Sequence, residues 1–225
     1  MRLLSWNIRD LLGDPLAVHR VVRAAAPDVV CFQEAPRRPG SALRLRLLER
    51  GTGLRCVAGG RRSGGTALFV APAVQAGWAR AFRLPVPGRL SRTRGASVAE
   101  LYLPDTGSLV VASVHLPLQP DLRLRHAGLA ARVVAWRGLP AVVAGDLNEP
   151  AGSPAWRAWE PLVSDPWPTA GPSYPARGPH RRIDAVLTGA GLLVTRYDDA
   201  GADPDDVRRA SDHWPVLAEI EPARP

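Results

Sequence analysis

The chain has 225 residues, 46% of them hydrophobic, and a formal net charge of +8. That length and apolar share permit a real buried core and fit one domain over residues 1–225, while no apolar run approaches the roughly 20 residues of a membrane span. Cys31 and Cys56, the only cysteines, are too few for a disulfide framework and lack zinc-knuckle spacing.

The strand-like run that starts at Arg2 leaves no room for a signal peptide, so the expected location is cytoplasmic. Asp14 and Pro15 form an N-cap and first-turn pair, after which Val18, Val21, Val22 and Ala25 fall on one helical face until Pro27. A strand follows in "DVVCFQE". Ser41 can cap a second helix through Leu43 to Leu48, closed by Gly51, and "TALFV" reads as another strand. "GASVAELYL" and "SLVVASVHL" are strands joined by the turn residues Pro104 to Gly107, as in a hairpin. From Leu122 to Trp136, the residues Leu122, Leu129, Val133 and Trp136 mark the apolar side of a third helix, ended by Gly138. His19 and His126, on arginine-rich helical segments, are expected to face solvent. "VVAGDLNEP" begins as a buried strand, and 149–179, rich in Pro and Trp, reads as a loop over one end. "RRIDAVL", "GLLVTRYD" and "WPVLAEI" supply the last strands. Hairpins mixed with crossovers point to an α/β (α+β) fold of two packed mixed sheets flanked by helices.

The strands share an odd ending. "LLSWN" runs apolar into Asn7, "VVCFQE" into Glu34, "VVASVH" into His115, and "VVAGDLN" into Asp146 and Asn148. Asp184 sits at a strand start in "RIDAVL", and Asp212 with His213 precede the last strand. Singly, each has an ordinary explanation as a turn former, a solvated acid or a satisfied histidine. Together they read as ligands for metal or proton carried on a rigid frame. Side chains alternate along a strand, so Asp146 and Asn148 can face one site.

In order, "WN" (Trp6–Asn7), "QE" (Gln33–Glu34), "HL" (His115–Leu116), "GDLN" (Gly145–Asn148), "RID" (Arg182–Asp184) and "SDHWP" (Ser211–Pro215) resemble the endonuclease/exonuclease/phosphatase superfamily. The resemblance runs from residue 6 to residue 215. It implies a deoxyribonuclease I-like four-layer sandwich and metal-dependent attack of water on a phosphate ester. Scission of such an ester builds negative charge, so the site needs a hard cation, a positioned water and hydrogen-bond donors.

By that resemblance Glu34, with Asn7 and Asp212, holds Mg²⁺, for which Mn²⁺ can substitute. Asp146 activates the water and Asn148 holds water or phosphate. His115 and His213 bind phosphate oxygens. Asp184 orients an imidazole, that of His213 in preference and His115 as the alternative. Arg94 and Arg182, with Arg92 and Arg181, are further phosphate-gripping candidates.

All 29 basic residues are arginine, a bias that scatters cations over a surface as readily as it builds a groove for a polyanion. A phosphate-ester substrate is the expected partner, with nucleic acid among the candidates, and neither stable membrane association nor an obligatory protein partner is expected. The leading reading is a phosphodiesterase, nucleases included. A phosphomonoesterase acting on a small metabolite or lipid head group is the alternative. From another class, a noncatalytic binding module should lose ligands first, yet Glu34, Asp146, Asp212 and His213 all stand.

Overall fold

The computed structural model describes residues 1–86 and 94–223. A six-stranded sheet has the order β10-β11-β1-β2-β4-β3. Its strands are β1 (Arg2–Asn7), β2 (Val29–Gln33), β3 (Arg55–Ala58), β4 (Ala67–Val70), β10 (Leu192–Asp198) and β11 (Val216–Pro222). A five-stranded sheet runs β5 (Gln75–Leu84), β6 (Arg94–Leu103), β7 (Gly107–His115), β8 (Ala141–Asp146) and β9 (Asp184–Thr188). Both are mixed: β1 lies parallel to β2 and β7 parallel to β8, and the other neighbours are antiparallel.

Alternation along each strand builds the layers. In β1, Leu3 faces the second sheet, where it joins Cys31, Leu68, Leu101, Leu109, Val111, Val142 and Val186. Leu4 and Trp6 point the other way, onto α1 (Pro15–Ala25), α2 (Ser41–Thr52) and α5 (Pro204–Ala210). On the far side α3 (Pro120–Ala135) and the short α4 (Pro154–Arg157) cover the five-stranded sheet. The result is helix, sheet, sheet, helix, the four-layer sandwich expected from the sequence. Strands covered on both faces read as continuous apolar runs, which is why "VVA" and "VVCF" carry no polar alternation.

The α1 prediction holds in detail. The Asp14 side chain accepts from the Leu16 N–H at 2.8 Å, and Val18, Val21, Val22 and Ala25 are buried. The predicted hairpin is β6–β7. Elsewhere the structure departs from expectation. α2 is preceded by Gly40, with no side-chain cap, and closes at Gly53 rather than Gly51. Gly51 instead makes room for the His19 ring, which a β-carbon there would meet at 2.1 Å.

On α3 the buried face is Arg123, His126, Ala127, Ala130, Ala131 and Val134, rotated from the one read from its large apolar residues. Small alanines let that helix lie close to the sheet, and Trp136 is 69% exposed. His126 is therefore fully buried rather than solvated, with Nε2 2.5 Å from the Pro85 carbonyl. β3, β5 and α5 were not expected. α5 nonetheless has a clear start signal, because the Asp203 carboxylate accepts from the Asp205 and Asp206 N–H groups ahead of Pro204.

Candidate active site

The layer between the sheets changes character toward one end. Past Leu3 and Val142 it becomes polar: the Gln33 Nε2 donates to the Cys31 carbonyl at 2.9 Å and to Ser113 Oγ at 3.2 Å, and Ser113 Oγ donates to the Phe32 carbonyl at 3.0 Å. These bonds tie the sheets together just below the strand ends. Register does the rest. Asn7 pairs with Gln33, while His115, Asp146 and Asp184 stand side by side on β7, β8 and β9. A histidine and two carboxylates on three adjacent strands must share one end of the sandwich.

Gly145 makes that register attainable, since a β-carbon there would meet the Val114 carbonyl oxygen at 1.9 Å. Only glycine lets β7 and β8 approach so closely just before the aspartate. Beyond it, Asp146 is held from both sides. Its Oδ1 accepts from the Asn148 backbone N–H at 3.0 Å. Its Oδ2 accepts from Asn7 Nδ2 at 3.2 Å and lies 3.3 Å from His115 Nε2 and 3.9 Å from His213 Nε2.

His213 is aimed by a second carboxylate. Its Nδ1 lies 2.9 Å from Asp184 Oδ2, which also accepts from Ser173 Oγ at 2.7 Å. The preferred partnership, Asp184 with His213, is the one formed. Backbone contacts fix the His213 segment: Trp6 Nε1 donates to the His213 carbonyl at 2.8 Å, and the Ser211 hydroxyl accepts from the His213 N–H at 3.1 Å while donating to the Asn7 carbonyl. The Tyr174 ring lies against the imidazole, with centroids 4.7 Å apart.

Electrostatics follow from this packing. Burial alone would raise the Asp146 carboxyl, but the facing His115 and His213 rings and the Asn7 amide outweigh it and hold the group well below the usual carboxylate range. Burial pulls His213 down, yet Asp184 and Asp146 overcome it and raise its pKa to about 10. Asp184 is pushed up by burial, against the pull of His213, with the Asp146 charge adding to the rise. His213, raised in this way, thus stands between Asp184 and Asp146, and Asp146 keeps its negative charge.

Glu34 ends β2 beside the Asn7 strand, in a left-handed backbone conformation (φ 48°) that only strong surrounding constraint maintains in a glutamate. Its carboxylate is half-buried and forms no hydrogen bond or ion pair with the described residues. Asn7 shares this end of the sheet. Asp212, next to His213, is half-buried with a carboxylate equally without a partner among the described residues. The Glu34 and Asp212 carboxylates, left unpartnered in this way, fit a hard divalent cation, whereas Asn7 Oδ1 already accepts from the Arg9 N–H at 3.1 Å. A second possibility for an ion is the Asp146, Asp184 and His213 cluster, whose ligand atoms lie within 4.8 Å of one another. There, however, Asp184 and His213 are already bonded to each other.

Other expectations fare differently. The Asn148 side chain turns from Asp146 and donates to the Leu116 carbonyl at 2.7 Å, so only its backbone N–H touches the central carboxylate. Arg94 is buried, and its Nε donates to that same carbonyl at 3.3 Å. Arg182 does not join the site as a phosphate grip. Its Nη1 and Nη2 form a two-pronged pair with Asp165 at 2.7 and 2.9 Å and the guanidinium lies over the Trp156 ring, while Nε is buried with no partner among the described residues. Arg92 lies outside the described residues. Sequence reading missed Ser173 and quoted Gln33 and Ser211 only as motif residues, without a role. A lone serine in a Pro-rich loop gives no signal, whereas Gln33 beside Glu34 in a buried strand could have been found, since a buried amide requires partners.

A family model described as "Endonuclease/Exonuclease/phosphatase family" matches residues 4–213. No curated protein matches the sequence. Among solved structures, a functionally unknown conserved protein from Enterococcus faecalis is similar at a TM-score of 0.82 and 19% identity, covering 99% of this chain and 100% of that one. A mannosyl-6-phosphatase from Bacteroides thetaiotaomicron is similar at 0.78 and 18% identity, covering 98% and 99% of the two chains. The 2′,3′-cyclic phosphatase ANGEL2, in complex with adenosine-2′,3′-vanadate, is similar at 0.73 and 16% identity, covering 98% and 95%. At these identities the likeness is one of fold. The family match spans nearly the whole chain, from β1 to the His213 segment, and by it the protein belongs to the endonuclease/exonuclease/phosphatase family.

Proposed function

We propose that the protein is a Mg²⁺-dependent phosphoesterase that hydrolyses a phosphodiester by in-line attack of a positioned water. One observation carries this reading: a buried aspartate converges with Asn7 and two imidazoles, one of them bonded to its own carboxylate partner. Family membership supports phosphate-ester hydrolysis as the reaction class.

Asp146 Oδ2 is the acceptor for a hydrogen of the attacking water, and the Asn148 N–H on Oδ1 keeps the carboxylate from turning. With Nδ1 engaged by Asp184, the His213 Nε2–H is left to donate to a phosphate oxygen as charge develops there. Ser173 holds Asp184 in place and thereby fixes the imidazole tautomer. His115 Nε2 offers a second donor on the same side as Asn7. Glu34, Asn7 and Asp212 are the proposed holders of the cation. When bound, Mg²⁺ supplies Lewis-acid polarisation of the phosphate and charge neutralisation.

A phosphomonoester is the second reading, favoured by the end-to-end match in length to the mannosyl-6-phosphatase. A panel of plasmid DNA, single strands, RNA, an aryl phosphodiester, and aryl and sugar monophosphates, each with Mg²⁺, Mn²⁺ or chelator, separates the two. Diester turnover abolished by chelator is expected. Turnover of monoesters alone would transfer the assignment to the second reading, and turnover in chelator would remove the metal.

A further inference from the structure

The turn that follows β1 is held in a conformation its residues resist. Arg9, Asp10 and Leu11 carry φ values of 49°, 54° and 53°, three left-handed residues in a row with no glycine among them. An L side chain in that region crowds the following carbonyl, so such residues persist only where their surroundings outweigh the strain, and they gather at functional sites. Glu34, at φ 48°, makes a fourth. The two strained segments touch: the Ile8 N–H donates to the Gln33 carbonyl at 2.9 Å, and the Asp10 N–H to the Glu34 carbonyl at 2.6 Å. The turn also reaches the Asn7 amide, whose Oδ1 accepts from the Arg9 N–H, so that Nδ2 is left for Asp146.

Side chains from the segment after Glu34 clamp this turn. Arg44, half-buried in α2, donates from Nη2 to the Asp10 carbonyl at 2.5 Å and to the Leu11 carbonyl at 3.4 Å, and its Nη1 lies 3.6 Å from Asp10 Oδ1. Asp10 is buried, and its Oδ2 lies 3.3 Å from Nε of Arg38, whose side chain is 71% exposed. Arg44 is therefore the inner half of the clamp. A planar guanidinium with donors in fixed directions can take two successive carbonyls and a carboxylate at once, which a lysine ammonium does less well.

We infer that Arg44 is a positioning residue for the cation: through the Asp10 and Leu11 carbonyls it presses the left-handed turn against Glu34 and so sets the Glu34 carboxylate before any ion arrives, a role that rests on the reading of Glu34 as a holder of Mg²⁺. Arg44 acts through backbone and needs no contact with the ion. A ligand held in place by its supporting shell binds metal better than one free to wander, so the effect belongs in metal affinity. Its sign is distinctive. A guanidinium repels a cation, so by charge alone loss of Arg44 tightens Mg²⁺ binding, whereas loss of positioning weakens it.

The test is calorimetric titration of Mg²⁺ into the whole protein, without substrate. Arg44→Met is expected to raise the Mg²⁺ dissociation constant about tenfold, the low end of what loss of supporting groups around a metal does. Arg44→Lys keeps the charge without the fork, and is expected to weaken Mg²⁺ by a smaller factor; it stands in if Arg44→Met melts too early. In a Glu34→Ala background Arg44→Met is expected to change the constant by less than about twofold, because the residue it acts through is gone. Unchanged or tighter Mg²⁺ binding in the Arg44 variants, a loss of the same size in the Glu34→Ala background, or no Mg²⁺ binding by the unaltered protein would overturn the positioning role. The expected titrations beside a substrate panel with no turnover would instead strike the phosphoesterase reading and leave the role of Arg44 standing.

Discussion

Two buried clusters of charge lie a few residues apart, and they are built on opposite principles. Around Arg123 and Glu149 the two charges answer each other and the neighbouring backbone. Arg123 Nε donates to Glu149 Oε2 at 2.8 Å, its Nη1 donates to the Pro117 and Leu118 carbonyls, and Glu149 Oε1 accepts from the Ala155 N–H. Around Asp146 the accounts are left open. His115 Nδ1 and Asp184 Oδ1 are buried without a partner among the described residues, and Glu34 and Asn148 hold left-handed backbone conformations. A closed network of charges serves the fold, whereas an open one under backbone strain is waiting for something else.

The sharpest way to break this comparison is to exchange a single atom at its centre. Asp146→Asn keeps the side chain's shape and an oxygen for the Asn148 N–H but turns an NH2 group toward Asn7 Nδ2 and the two imidazoles, so the variant should fold yet melt earlier. Turnover of the aryl phosphodiester should fall by about a hundredfold to ten-thousandfold. Near-normal turnover would remove Asp146 from the reaction.

Arg123→Ala is the mirror experiment. It strands the Glu149 carboxylate in a buried position, and loss of one partner of a buried pair costs about 3–5 kcal/mol. Chemical denaturation should show that loss while the Mg²⁺ titration midpoint of the surviving activity stays put. A shifted midpoint would make the Arg123 cluster part of the site and dissolve the contrast.

Next in size is a pH effect on the metal-free protein. The folded pKa of His213 is raised to about 10 by the carboxylates that face it, once they have overcome burial. Its contribution to stability is therefore complete below the unfolded value of about 6.5 and drains away as pH climbs toward about 10, at no more than about 1.4 kcal/mol per pH unit. His213→Gln should flatten that part of the stability curve. For Asp146, held low, the sign is opposite: its share is present above about 4 and is lost as acid protonates it. A wild-type curve flat from pH 6.5 to 10 would contradict the charged imidazole.

Glu34→Ala removes a carboxylate with no partner among the described residues. Stability should hardly change, and the Mg²⁺ concentration for half-maximal turnover should rise about ten- to hundredfold, as loss of groups around a metal does. An unchanged titration would take Glu34 off the metal.

The sequence made these residues visible because each ends an apolar strand, where a polar side chain has no packing reason to be. Asn7, Glu34, His115 and Asp146 were legible in that way; for Asp184 burial called only for some partner, and the preference for His213 over His115 came from the family resemblance. Ser173 was not legible: its role depends on a Pro-rich loop folding back until Tyr174 bridges Arg181, a contact with no local pattern. Arg182 misled for a related reason, since its partner Asp165 is 17 positions away, in the same loop.

Helix α3 failed differently, and it yields the smallest effect. Hydrophobicity alone selects Leu122, Leu129, Val133 and Trp136 as the inward face. Close approach to a sheet selects instead for small side chains, and Ala127, Ala130 and Ala131 won that position. Trp136 lies outside, flanked by the Arg137 guanidinium at 4.7 Å and by Trp78 at 6.1 Å. If shape rather than apolarity sets this face, Trp136→Ser should cost only the exposed ring contacts, about 0.5–1 kcal/mol. Ala130→Leu, an apolar gain on paper, should cost about 1–3 kcal/mol by overpacking. Denaturation midpoints in the reverse order would mean that α3 packs in solution by the face its large residues define.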